Sequence, residues 1–324
     1  MQGRIEKELS DHEQALHNNA FVTNEADPHY HSLEEITYDH KGTQRKMNVP
    51  KSDVLANFRN DVKNGKLPAV SWLVAPQYFS DHPSAPWFGA WYVSEVLNIL
   101  THNEEVWKKT IFILTYDEND GYFDHVLPFV APDYRDQKTG AVSAGIRNIA
   151  NEFVTLNDEI NQKGVSKPNA REHAIGLGYR VPFIVASPWS RGGYVNSEVL
   201  DHTSVVQFIE KFASRKTGKK LQLDNISDFR RAVCGDMSSV FRPYNGEKLP
   251  QPDFLKRDAF LQRINEARYT PAPEGIHPVD KNEEGLLRQD PAATKNISGR
   301  KQVLNPLQHC LMSCMQRALS IITR

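Results

Sequence analysis

The residues equipped for chemistry stand in one block. After the apolar run Thr110–Tyr116 the chain reads Asp117-Glu118-Asn119-Asp120-Gly121-Tyr122-Phe123-Asp124-His125. Closely spaced carboxylates with an amide and an imidazole supply hard oxygen ligands for a divalent cation, or general acid and base groups. Asp117 and Glu118 are adjacent, so on an extended chain their carboxylates diverge. They can face one ion only if the backbone turns after the strand, and Asp120-Gly121 is a turn-forming pair. The competing reading is an acidic surface loop in which Asn119 and Asp120 serve only the turn. The rings of Tyr116, Tyr122 and Phe123 weigh against it, because ring surface raises the cost of carboxylates that no cation or donor answers.

Two further loops repeat the theme, with Asp81-His82 before Pro83 and Asp201-His202 before Thr203. Alone, either pair fits a turn histidine held by its neighbour or a helix-start residue. Together, His82, His125 and His202 at three predicted element mouths, with the carboxylates, suit phosphate ester hydrolysis: a metal polarises an oxygen while imidazoles hold phosphoryl oxygens or move protons. Ser80, Ser84, Thr203 and Ser204 are nucleophile candidates by position only. No GxSxG, Walker loop, CxxC or dinucleotide-binding glycine pattern is present. His29 and His31, in a polar stretch, read as solvent-exposed histidines. Cys234, Cys310 and Cys314 form neither a disulfide framework nor a zinc set.

The elements that must position these groups follow from periodicity. SDVLANFRNDVKNG predicts a helix opened by Ser52 or Asp53 and ended by Asn64-Gly65, with Leu55, Phe58 and Val62 on its apolar face. Ala69–Ala75 is a short buried strand, Trp87–Leu100 an apolar-faced helix, Thr110–Tyr116 the central strand and Gly178–Ser187 a third apolar run. Leu127–Arg171 is a long polar excursion, either a substrate-shaping segment or a slack surface loop. Thr203–Phe212 is a helix in which Ser204 and Gln207 have capping-box spacing. Helical connections between short buried runs predict an α/β fold with a mostly parallel sheet and helices on both faces. Parallel strands point their carboxyl ends one way, so the loops at His82, Asp117–His125 and Asp201–His202 would converge on one rim.

Three regions are expected: a poorly structured segment at 1–48 with one amphipathic helix over Ile5–Leu16, an α/β domain at 49–245, and an extended linker and tail at 246–324. In the last region Asp253–Ala267 is a helix candidate and 305–324 a detached amphipathic helix. Over 324 residues, 39% are apolar, 24% charged, and the formal net charge is −1, which gives no sign of a nucleic-acid surface. No apolar run reaches the length of a membrane span, and the first residues lack the apolar stretch of a signal peptide.

VSWLVAP, SDHPS, TIFILTYDENDGYFDHV, RVPFIVASPWSRGG, LDHTSVVQFIE and ISDFRRAVCGD follow one another in an order that resembles bacterial phosphocholine-specific phospholipases C, which share a phosphoesterase family with acid phosphatases. The resemblance covers about residues 50–245. It implies an alkaline-phosphatase-like core, a divalent metal on Asp117 and Glu118, and His82, His125 and His202 at the phosphoryl site with Asp81, Asp124 and Asp201 supporting them. It implies hydrolysis of a phosphocholine lipid through a phospho-enzyme, giving diacylglycerol and phosphocholine. Trp87, Tyr122 and Trp189 are ring candidates for a choline cation. Members are longer, exported, and carry C-terminal β domains. Here the amino-terminal acidic-Asn block and the nucleophile that follows it are missing, and the register is lost after about Asn296. The chain therefore reads as an internal or truncated portion, incomplete at its amino-terminal side. A monoester-cleaving acid phosphatase and an inactive head-group- or metal-binding remnant are the alternatives.

Overall fold

In the computed structural model the described residues are 9–14, 27, 29, 32–76, 79–80, 88–122, 124–147, 149–190, 193–244, 246, 253–271 and 319–323. They divide into two compact units, Met1–Ile113 with Pro250–Arg324, and Leu114–Leu249.

The first unit opens with a feature that sequence patterning missed. Strands β1 (Leu33–His40) and β2 (Thr43–Pro50) pair antiparallel in a continuous register from Leu33↔Pro50 to His40↔Thr43. Their two-residue link, Lys41-Gly42, has φ of 51° and 81°, the positive values whose twist matches that of a hairpin. Read as loop, this stretch hides its alternation because the buried positions are few, chiefly Tyr38 and Val49. Of the helix expected over Ile5–Leu16, residues 11–14 are helical and the remainder falls largely outside the described residues.

Helix α1 (Ala56–Lys63) buries Phe58 and Val62 and ends at Asn64, followed by Gly65 with φ of +63°. Neither Ser52 nor Asp53 caps it; Leu55 occupies that position without a side-chain bond, and Asp53 instead receives Arg59 Nε at 3.0 Å. Helix α2 (Phe88–Thr101) is buried along much of its circumference, including Trp91, Val96 and Leu100. The short α3 (Glu104–Trp107) starts where Asn103 accepts the Val106 N–H. Strands β3 (Val70–Leu73) and β4 (Thr110–Thr115) fall where apolar runs predict them, although Trp72 on β3 is exposed.

The tail departs from expectation. Of the detached helix expected over 305–324, residues 305–318 and 324 lie outside the described residues, while Leu319–Thr323 forms strand β8, antiparallel to β3 with Val70↔Ile322 and Leu73↔Leu319, between β3 and β4. Ile321, Ile322 and Thr323 are β-branched and favour a pleated chain. Helix α6 (Arg257–Ala267) belongs to the same unit, with Phe260, Leu261 and Asn265 buried.

In the second unit the excursion shares a core with the segments that follow it. Strands β5 (Phe153–Val154) and β6 (His173–Ala174) pair antiparallel, and Phe153 packs with Ala131 and Phe229 against Val142, Ile146, Ile149 and Val233. It is not a slack loop. Strand β7 (Phe183–Ala186) is half-buried, and helices α4 (His202–Thr217) and α5 (Asp228–Val233) follow. The pairings β1–β2, β3–β8 and β5–β6 are all antiparallel, so the observed class is mixed α/β and the expected parallel order is absent from these three. Antiparallel partners arise from segments whose polar composition concealed their strands. Among the described residues no helix is long and apolar enough to cross a membrane.

Candidate active site

The site is built at the carboxyl end of β4. Phe112, Ile113, Leu114 and Tyr116 are almost fully buried, and the chain emerges so abruptly that Asp117 and Glu118 are exposed. The turn expected from Asp120-Gly121 is present, with φ of 59° and 74°. Tyr122 N–H donates to Asn119 O at 3.2 Å, and the Asn119 amide donates to Tyr122 O at 2.7 Å. Thus Asn119 fixes the turn, and the carboxylates before it leave the strand at a defined place. The ring shielding expected of Tyr122 is not found, because that residue is 71% exposed. Phe123 lies outside the described residues.

Helix α4 brings the second group. Asp201 caps it, accepting Ser204 N–H at 3.2 Å while Ser204 Oγ accepts Asp201 N–H at 3.0 Å. The capping box is therefore Asp201 with Ser204, not Ser204 with Gln207. Thr203 Oγ1 also donates to Asp201, at 2.6 Å. Both hydroxyls take part in the cap. His202 lies against the end of β4, its Nε2 2.5 Å from Tyr116 O. A carbonyl only accepts, so Nε2 carries the proton and Nδ1 is the ring's basic atom in the neutral form.

Asp124 and His125 are held differently. Arg180 grips Asp124 with Nη2 at 2.7 Å, Nε at 2.9 Å and its backbone N–H at 3.1 Å. The Arg180 hydrogen bonds, aided by the Val126 N–H, keep the Asp124 carboxyl well below the usual carboxylate range. His125 is exposed, with Nδ1 3.8 Å from Asp124 Oδ1. Trp189 is half-buried in the turn after β7, where its N–H donates to Ser187 Oγ and its carbonyl accepts Arg242 N–H. Asp81, His82, Ser84 and Trp87 lie outside the described residues, and Ser80 is buried.

Two participants carried no signal in residue type alone. Arg180, which locks the loop bearing His125, follows the GY pair of the third apolar run and reads simply as its polar edge. Arg230 reaches Asp201 Oδ2 at 2.9 Å, behind the helix cap. It sits in ISDFRRAVCGD, where only the order of blocks drew attention to it.

As a metal centre the set is partial. Asp117 and Glu118 are the right donors for a hard divalent cation, but among the described residues no group of three or more His, Cys, Asp or Glu converges to hold one. These residues do not complete a ligand shell.

A model of the Phosphoesterase family matches residues 9–214. The chain belongs to the Phosphoesterase family. Within it, the chain is 42% identical over 232 residues to the non-hemolytic phospholipase C of Burkholderia pseudomallei, which covers 71% of this chain and 31% of that protein. It is 42% identical over 247 residues to the non-hemolytic phospholipase C of Pseudomonas aeruginosa, covering 74% and 32%. To the hemolytic phospholipase C of Pseudomonas aeruginosa it is 40% identical over 228 residues, covering 67% and 27%. The chain spans about a third of the length of these phosphoesterase relatives.

Proposed function

We propose that this chain forms one wall of a phospholipase C site, which hydrolyses the phosphodiester of phosphocholine lipids to diacylglycerol and phosphocholine. The single observation that carries the reading is the junction at the end of β4, where His202 meets the Tyr116 carbonyl one residue before the exposed pair Asp117-Glu118. Imidazole and carboxylates at one strand end are what phosphoryl transfer needs, and three relatives at 40–42% identity are named phospholipase C. The core is alkaline-phosphatase-like in this reading, with a mostly parallel sheet. Helix α2 between β3 and β4 is the crossover such a sheet requires.

Asp117 and Glu118 are this chain's contribution to a divalent metal site. A cation there supplies charge to polarise a phosphoryl oxygen. His202 offers Nδ1 to a phosphoryl oxygen or a transferring proton, with Asp201 orienting it through the helix cap. His125 offers a second exposed imidazole beside Asp124, and His82 with Asp81, outside the described residues, is assigned to the same site by the resemblance alone. Trp87, Tyr122 and Trp189 are the rings available to the choline cation. The nucleophile is not assigned.

Metal content and hydrolysis of a chromogenic phosphocholine ester by the purified chain, beside a phosphomonoester, test the reading. Metal-dependent diester cleavage is expected wherever the site is complete. Preference for the monoester would favour an acid phosphatase, and metal binding without turnover a remnant. Asp117→Asn should weaken metal binding at least tenfold by calorimetry; unchanged stoichiometry and affinity would remove Asp117 from the site.

A further inference from the structure

The most highly organised polar cluster of the second unit lies behind the candidate site. Arg230 is largely buried on α5, and each of its three donor groups is satisfied. Nε donates to Glu152 Oε2 at 2.9 Å, Nη1 to Asp201 Oδ2 at 2.9 Å and Nη2 to Gly176 O at 2.7 Å. The carboxylates are more buried still, at 5% exposure for Glu152 and 6% for Asp201. Glu152 Oε1 accepts Ser227 Oγ–H, and that oxygen caps α5 by accepting Arg230 N–H at 3.0 Å. Burial works against the guanidinium charge; the Asp201 hydrogen bond and the Glu152 charge outweigh it and raise its pKa.

Charges withdrawn from water at this cost need a reason, since apolar residues of similar volume are often at least as stabilising. The reason is in what the cluster connects. Glu152 belongs to the excursion, at the edge of β5. Gly176 adjoins the exit of β6. Asp201 caps α4, and the next residue is His202, with its ring on the Tyr116 carbonyl. The planar guanidinium fork offers its donors to three acceptors at fixed angles, a constraint a lysine point charge does not impose.

We propose that Arg230, anchored by Glu152, is a positioning residue: it holds the Asp201 cap so that His202 stays fixed on the end of β4, and it makes the excursion part of the site's support. The structural half of this inference stands on contacts alone; its catalytic consequence rests on the phospholipase C reading.

The test uses the whole chain, labelled with nitrogen-15, and follows the His202 ring by long-range proton–nitrogen correlation, assigned with His202→Gln. Wild-type protein should show the Nε2–H tautomer with a slowly exchanging ring proton. In Arg230→Met that exchange should speed up at least tenfold and both tautomers should appear, while amide protection in the β1–β2 hairpin stays unchanged. Arg230→Lys should be intermediate, as one ammonium cannot serve three acceptors at fixed angles. Should Arg230→Met fail to fold, Glu152→Gln keeps shape and volume and should still accelerate exchange several-fold. A His202 ring as protected and as purely Nε2–H in the folded variants as in wild type would overturn the inference. Manganese broadening of residues 116–118 reports the metal reading separately. Its absence from wild type would sink that reading and leave the positioning result standing.

Discussion

Single side chains here do their work through backbone atoms as much as through one another. His202 uses a ring nitrogen on a carbonyl, Asn119 closes a turn, and Asp124 is gripped by one arginine. The last pairing has a pH signature. The folded-state carboxyl of Asp124 titrates below its unfolded value of about 4. Its contribution to stability is therefore complete above about pH 4 and is lost as pH falls through the lower, folded-state value. Arg180→Met should raise the Asp124 midpoint toward the ordinary carboxylate value of ~4, short of it by what the remaining Val126 and residue-180 N–H bonds contribute, read from its side-chain carboxyl carbon shift during acid titration. Gly176 is a second such point. Its φ is +68°, and an added Cβ would lie 3.1 Å from Phe129 O, a backbone atom that cannot swing aside. Gly176→Ala should cost about 1–3 kcal/mol, measured as a lowered denaturant midpoint. It should also disturb the carbonyl that Arg230 uses.

Between elements, polar side chains serve as joints. The β1–β2 hairpin is stitched to α6 by Tyr38, whose hydroxyl donates to Glu266 Oε1 at 2.7 Å and accepts from Asn265 Nδ2 at 2.8 Å. Asn265 is buried, so Tyr38→Phe leaves an amide donor without this acceptor. The expected loss is about 1–3 kcal/mol, and hydrogen exchange should show the hairpin opening first. Helix α4 illustrates the same economy at its ends: Asp201 caps the start, while Gly218 takes a φ of 69° at the close and Arg215 and Lys216 occupy the last turn, where cations answer the helix dipole.

Across the whole molecule, legibility in the sequence tracked apolar periodicity. Strand β4 and helix α2 announced themselves because their buried faces are wide, and β7 and α4 because their apolar residues run together or recur at helical spacing. The turn at Asp120-Gly121 did so because only a few residue types accept positive φ. The hairpin and β8 did not, since a strand with one sparse buried face resembles loop, and a short β-branched run at the end of a polar tail resembles helix. The site followed the same rule. Its acids and histidines were visible as types, whereas Arg180 and Arg230 became meaningful only once distant segments met. The excursion was undecidable from composition, because its core is assembled largely from residues that are individually unremarkable.

The border between the two units falls at Ile113 and Leu114, inside β4, at residues that are 0% and 2% exposed. Borders between compact units ordinarily run through exposed linkers, where chains can be recombined or split. This one cannot serve as a seam. A short Gly-Ser insertion between Gly140 and Ala141, both exposed, should leave soluble protein, and the same insertion after Ile113 should abolish it, as a soluble-fraction comparison would show. A cut in this chain, by design or by proteolysis, therefore has to fall elsewhere than between the strand and the acidic pair that follows it.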